Sequence, residues 1–230
     1  MKVAAIVNPV AGNGRVRKLW HRIERVIQAY GYRFRSLWTE RPGHGTVLAG
    51  RVREEGYDRV LAVGGDGTLH EVLNGLLQDP EKPGEAGPSL GVIPLGTGKD
   101  YHRTFRFGRT PEEMAHVALS PHTCSVDVGE LWVRDAYGRP VRTFFANVAG
   151  FGFDASVAHR ANVQYARRRS PWVYLRCIFQ ELTNLQNLQI VGELDGRDVE
   201  IRSALFVMAI ARYFGGGFFV APHASPVDGW

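Results

Sequence analysis

Apolar residues in the first half of the chain switch between two spacings. Lys2–Val7 (KVAAIV) is a short apolar run that stops at Asn8-Pro9, and it reads as a strand. From Val16, the residues Leu19, Trp20, Ile23, Val26, Ile27 and Tyr30 recur at i, i+3, i+4 and i+7. This predicts an amphipathic helix ended by Gly31, with Arg15, Arg17, Lys18, Arg22 and Arg25 mostly on its wet side. Tyr32–Trp38 alternates as a second strand, residues 43–55 suit a helix, and Tyr57–Val63 is a third strand. Thr68 then stands as a helix cap before Leu69, Val72, Leu73 and Leu76 at helical spacing. A polar loop at Asp79–Pro88 leads to a fourth strand at Leu90–Pro94. Strands alternating with helices imply a mostly parallel sheet covered by helices.

The pattern changes near Thr123. Segments 124–134, 141–149, 187–194, 197–202 and 204–211 read as strands rich in Val, Ile, Leu and Phe, with hairpin turns at Gly138 and Asp195-Gly196. Residues 154–183 between them read as helical. The expected organisation is an α/β domain over residues 1–122 and a β-rich, antiparallel domain over 123–230.

Glycine clusters follow the first, third and fourth strands, at Ala11-Gly12-Asn13-Gly14, Gly64-Gly65-Asp66-Gly67 and Gly96-Thr97-Gly98. In a parallel sheet these turns share one edge, where ligands collect. Glycines let backbone approach closely, and amides at a helix start favour an anion, so strand–glycine turn–helix suits phosphate. Asp66 does not belong in a pure anion nest; a carboxylate beside phosphates makes sense facing a metal ion or a hydroxyl proton. A tight turn with capping Asp and Thr would serve structure alone.

Composition narrows the setting. The 230 residues carry a net charge of +5, which favours acidic partners such as nucleotides or anionic lipid surfaces. Zinc-finger spacing, RNA-recognition signatures and long basic helices are absent, so no nucleic-acid partner is expected. Cys124 and Cys177 are too few for a disulfide framework, and no apolar run reaches membrane-spanning length. The N-terminus lacks signal-peptide anatomy, so the expected location is cytoplasmic. Arg167-Arg168-Arg169 beside Trp172 and Tyr174 puts cations next to interfacial aromatics, a candidate membrane-surface patch; a solvated helix end is the plainer alternative.

Several motifs fail on inspection. Gly91 to Gly96 has Walker A spacing, but Thr97 stands in place of Lys. His70-Glu71 opens like a zinc-protease helix, but Asn74 replaces the second His. Gly150-Phe151-Gly152-Phe153-Asp154-Ala155 fits the dinucleotide pattern yet sits in the β-rich half, where a tight strand-to-helix corner explains it.

Taken together, five stretches resemble the lipid kinases with a diacylglycerol kinase catalytic domain, a family that includes sphingosine and ceramide kinases. They are Asn8-Pro9-Val10-Ala11-Gly12; Gly64–Thr68 with Glu71, Asn74 and Gly75; Pro94-Leu95-Gly96-Thr97-Gly98-Lys99-Asp100 with Arg103; Asn147 through Ala155; and Gly215-Gly216-Gly217 through Ala221-Pro222 to Asp228-Gly229. NAD kinases share the Gly-Gly-Asp-Gly-Thr turn but not the last segment. Lys99 and Ala211 stand where the family usually has Asn.

The resemblance implies a nucleotide domain followed by a β-sandwich-like lipid domain, with phosphoryl transfer from ATP to a lipid hydroxyl in the cleft between. Nucleotide would contact Asn8, Gly64, Gly65, Gly67, Thr68, Gly96, Thr97 and Gly98, with Arg15, Lys18 and Arg103 balancing phosphate charge. Asp66 and Asp100 would be catalytic, and Asp66, Asp100 and Asp228 would organise Mg²⁺. The expected partner is a lipid at a membrane surface, with peripheral association and a homodimer as an assembly to test. The family continues past Asp-Gly with a segment carrying a general base; this chain stops at Trp230, so the second domain is expected to be incomplete and turnover slow, with a sheet edge left open. The alternative is a nucleotide- or lipid-binding protein without catalysis, and NAD kinase is a further one.

Overall fold

The computed structural model describes residues 1–78, 87–135, 137–164, 171–183 and 185–229. Most of the expected 79–88 loop lies outside these residues, as do Arg167, Arg168 and Arg169; the side chain of Trp172 is likewise outside the description.

The first half is a parallel four-stranded sheet: β1 (Lys2–Val7), β2 (Arg33–Trp38), β3 (Arg59–Gly64) and β4 (Ser89–Pro94), in the order β2-β1-β3-β4. Its helices are α1 (Arg15–Ala29), α2 (His44–Glu54), α3 (Asp66–Leu77), α4 (Asp100–Phe105) and α5 (Pro111–Ala118). Alternate strand residues feed two cores. Ala4, Ile6, Val60 and Ala62 pack with Leu48, Val52, Leu69, Val72 and Leu73 of α2 and α3. Val3, Ala5, Val7, Leu61 and Val63 pack with Trp20, Ile23 and Ile27 of α1 and with Met114 and Ala115 of α5. Burial on both faces explains why these strands read as continuous apolar runs. Each fully buried Val, Leu or Ile contributes about 1.5–3 kcal/mol, so the site edge rests on a rigid slab.

The chain leaves β1 for β2 on one side and returns to β3 on the other. The sheet order therefore reverses between β1 and β3, and the turns that follow these strands flank that switch point.

The second half is β-rich and antiparallel among its described strands. β5 (Gly129–Arg134) pairs with β6 (Pro140–Phe145), β7 (Val148–Gly152) with β10 (Leu205–Ala209), and β8 (Leu188–Leu194) with β9 (Arg197–Ser203). β11 (Tyr213–Phe214) and β12 (Phe218–Phe219) close around Gly215-Gly216-Gly217, whose φ values are all positive. Helices α6 (Phe153–Gln164) and α7 (Pro171–Leu182) pack together.

Five local expectations are corrected. The strand expected at 141–149 is broken at Ala146-Asn147, because the Asn147 carbonyl accepts the N–H groups of Ile210 and Ala211 and turns the chain into β7. The strands expected at 124–134 and 204–211 pair only over 129–134 and 205–209. The helical stretch 154–183 is two helices, the second opened by Pro171 at a position where its missing N–H costs nothing. Thr68 is not a cap: α3 starts at Asp66 behind Gly65, and the Thr68 hydroxyl is taken by Asn8. The apolar pattern had also passed over α5, whose start is legible in Thr110-Pro111-Glu112-Glu113; the Thr110 hydroxyl accepts the Glu113 N–H at 3.2 Å.

Candidate functional site

The three glycine turns converge at the carboxyl edge of the sheet. The Asn8 N–H donates to the Val63 carbonyl at 3.0 Å, and the N–H groups of Leu95 and Gly96 both donate to the Gly64 carbonyl, at 2.7 and 3.0 Å. The turns touch backbone to backbone. Gly12, at φ +60°, has no room for a Cβ, which would overlap the Leu95 carbonyl oxygen; a Cβ on Gly96 would strike the Cα of Gly65. Asn8 ties the first turn to the second by donating from Nδ2 to the Thr68 hydroxyl at 3.0 Å, while its Oδ1 accepts the Val10 N–H at 3.2 Å.

Gly67 is different. A Cβ there would meet nothing within 4 Å, and its φ is ordinary. It stands in the first turn of α3, where backbone amides lack intrahelical acceptors and the helix dipole favours an anion. Neither packing nor backbone conformation asks for glycine here, and the turn is open on this side.

Two carboxylates flank this opening. Asp66 Oδ1 accepts the Tyr101 N–H at 3.1 Å, and its Oδ2 lies 3.4 Å from the Asp100 N–H, so Asp66 caps α4 from another element. Asp100 is 6% exposed. Its Oδ2 accepts the Gly216 N–H at 2.9 Å, and its Oδ1 lies 3.3 Å from the Arg103 guanidinium. Burial pushes the Asp100 carboxyl up from its ordinary value, and the charge of Asp66 adds to that; the Gly216 and Gly217 N–H groups and Arg103 oppose it. Arg103 also donates to the Gly98 carbonyl and sits against Gly217. Arg103, rather than Lys99, is thus the partner of Asp100. Lys99 occupies the left-handed region at φ 57°, a conformation that Asn tolerates better than Lys, which is the physical cost of departing from Asn there.

The remaining expected residues fall as follows. Arg15 is exposed on the first turn of α1, its Cβ 3.5 Å from where a Gly12 side chain would begin, and Lys18 is exposed one turn further on. Thr97 is exposed, and Gly98 lies 2.8 Å, measured from a Cβ built on it, from Asp66 Oδ2. Asp228 is exposed and is not brought into one group with Asp66 and Asp100: among the described residues no three His, Cys, Asp or Glu side chains are placed to hold a metal ion. The Asp66–Asp100 pair still suits Mg²⁺, which takes one or two carboxylates and fills its shell with water and phosphate oxygens.

Three residues of α3 that follow the second turn have roles that the sequence did not disclose. Glu71 accepts the N–H groups of Gly43 and Gly45, both at 2.9 Å, and so caps α2. Gly75 lets α2 approach, since a Cβ there would overlap the Thr46 carbonyl oxygen. Asn74 is 4% exposed and joins the two halves of the chain. Its Oδ1 accepts the Phe144 N–H at 2.9 Å and its Nδ2 donates to the Phe144 carbonyl at 2.8 Å, as a neighbouring strand would; the Thr143 hydroxyl adds a contact at 3.1 Å. Asp66, His70 and Asn74 lie at i, i+4 and i+8 on α3, and of these Asn74 reaches β6. No described helix is long and apolar enough to cross a membrane.

The chain is similar to known proteins over nearly its whole length. The family model described as the diacylglycerol kinase catalytic domain matches residues 2–131, and that described as the YegS C-terminal NAD kinase beta sandwich-like domain matches residues 147–230. A diacylglycerol kinase of Staphylococcus haemolyticus is 27% identical over 224 residues, 97% of this chain and 64% of that protein. One from Staphylococcus aureus is 28% identical over 225 residues, 98% of this chain and 67% of that protein. A crystal structure from Bacillus anthracis, assigned as a diacylglycerol kinase, superposes with a TM-score of 0.71 at 26% identity, covering 99% of this chain and 70% of that one. The chain thus spans about two thirds of the length of the relatives it matches.

Proposed function

The chain belongs to the diacylglycerol kinase catalytic domain family, and on that premise we propose that it transfers the terminal phosphoryl group of ATP to the hydroxyl of a membrane lipid of the diacylglycerol or sphingoid kind. The observation that carries this reading is Gly67: open space before a helix N-terminus, flanked by Asp66 and backed by two further glycine turns.

In this reading the amides opening α3 and the Thr68 hydroxyl, held by Asn8, receive the phosphates. Arg15 and Lys18 lie at the exposed rim, where their charge attracts a polyanion. Asp66 and Asp100 form the side from which Mg²⁺ would be held; the ion would neutralise charge on the transferring group. Asp66 stands closest to the phosphate turn and is the candidate to orient the acceptor hydroxyl. Such transfer depends mainly on positioning and charge, which the rigid sheet edge supplies. The lipid would approach from a membrane surface along the exposed side of α3, beside the α3–β6 contact that Asn74 makes.

One observation favours a second reading, a nucleotide- or lipid-binding protein without turnover. Both carboxylates are already engaged, Asp66 by α4 amides and Asp100 by Arg103 and Gly216. Radiolabelled ATP offered with diacylglycerol, sphingosine, phosphatidylglycerol or NAD separates these. Label in a lipid supports the proposal; label in NAD reassigns the acceptor; ATP binding without transfer to any acceptor supports the second reading.

A further inference from the structure

His70 sits between the two ends of α3 that matter: four residues, about 6 Å of helix rise, past Asp66 and the same distance before Asn74. It is exposed, unlike its helix neighbours Leu69, Val72 and Leu73. In the family signature it fills a variable letter, so no role is carried to it. Its surroundings decide its chemistry.

The Asn74 amide cannot be turned over. Its oxygen is fixed by the Phe144 N–H at 2.9 Å, and its nitrogen by the carbonyls of Phe144 and His70, at 2.8 and 2.9 Å. The same nitrogen lies 3.4 Å from His70 Nδ1. An N–H on Nδ1 would point at an amino group that has only hydrogens to offer. The neutral ring is therefore the tautomer with Nδ1 bare and the proton on Nε2. Although one edge of the residue is open to solvent, the protein atoms packed around the ring desolvate it and hold the imidazole below its ordinary value, against the opposing charge of Glu71, so the ring is neutral near pH 7. A neutral imidazole with its proton on Nε2 has no basic lone pair at that nitrogen; a second proton could go only to Nδ1. The Nε2–H is a hydrogen-bond donor on the ring edge opposite the Nδ1 that faces Asn74, in a residue open to solvent.

We propose that His70 is a substrate-contacting residue whose Nε2–H donates to an oxygen of the acceptor lipid, holding its headgroup one helical turn from Asp66. This rests on the lipid-kinase reading above and makes it more specific: His70 selects a lipid with an acceptor oxygen beside the hydroxyl, and the proton of that hydroxyl must go elsewhere.

The test is imidazole nitrogen NMR on the full chain, with short-chain 1,2-dioctanoylglycerol as probe and no nucleotide present. The expected results are the Nε2–H tautomer in the free protein, a saturable shift of the His70 ring nitrogens on adding the probe, and binding weakened about three- to tenfold in His70→Leu, the range of one neutral hydrogen bond. His70→Gln, which can place an amide N–H near Nε2, should bind within a few-fold of the parent; a merely structural role would give no such rescue. An Nδ1–H tautomer, an unmoved His70 ring, or equal binding by His70→Leu overturns the inference. If the probe shifts amides in 64–74 but leaves His70 and its variants unaffected, only this inference falls. If the probe binds nowhere, the lipid-kinase reading falls with it.

Discussion

The carboxylate of Asp66 accepts the backbone N–H of Tyr101 at 3.1 Å, thirty-five residues further along the chain. The acid of the second glycine turn thereby caps α4 and holds the third turn in place. Asp66→Ala should remove this cap at a cost of about 1 kcal/mol and abolish phosphoryl transfer. Asp66→Asn keeps an acceptor oxygen and should unfold close to the parent while still failing to transfer phosphate. Chemical denaturation beside the labelled-ATP assay separates the two roles; an active Asp66→Asn variant would remove Asp66 from the chemistry.

Two glycines should respond in opposite ways. The Cβ of Gly67→Val meets no protein atom within 4 Å, and the variant should leave thermal stability nearly unchanged while blocking ATP from the turn. Gly96→Ala collides with the Gly65 backbone and should cost about 1–3 kcal/mol in stability whether or not nucleotide is present. Calorimetric titration with ATP and thermal melts of both variants are the measurements. Parent-like ATP binding by Gly67→Val would make the turn purely structural.

Asn74→Leu leaves the buried Phe144 N–H and carbonyl without their partners. The expected loss is about 2–6 kcal/mol, from two unsatisfied groups at about 1–3 each. The Phe144 amide should exchange with solvent much faster, and guanidinium unfolding should lose coincidence between probes in the two halves of the chain. Unchanged exchange at Phe144 would show that other contacts hold β6 against α3.

Acid should weaken the fold through its histidines before its carboxylates. His70 is held below its ordinary 6.5 mainly by burial, so the unfolded chain binds a proton first as pH falls. Its contribution is fully present above 6.5 and is lost as pH drops through the lower folded value. His102 shifts in the same direction, through burial and then the charges of Lys99 and Arg103. Melting temperatures between pH 7.5 and 5.5 should fall less steeply in His70→Gln than in the parent. Identical slopes would mean that His70 titrates alike in both states.

Local pattern determined the framework. The i, i+3, i+4 spacing of Leu19 to Ile27 and the apolar runs at β1, β3 and β4 placed the parallel sheet, and the three glycine clusters marked its ligand edge. Those signals are local because helix and strand periods, and the steric freedom of glycine, act within a few residues. Tertiary structure decided what each signature residue does. Glu71 caps a helix that begins near residue 44, Asn74 imitates a strand against Phe144, and Asp100 holds the Gly216 turn more than a hundred residues away. It also decided that Thr68 lies inside α3 and that the 141–149 run breaks at Asn147. These outcomes depend on which backbone amides and carbonyls reach a given side chain once the sheet and helices have packed. A polar letter in sequence carries its donors and acceptors but not their partners; those exist only after distant segments are brought within about 3 Å of one another.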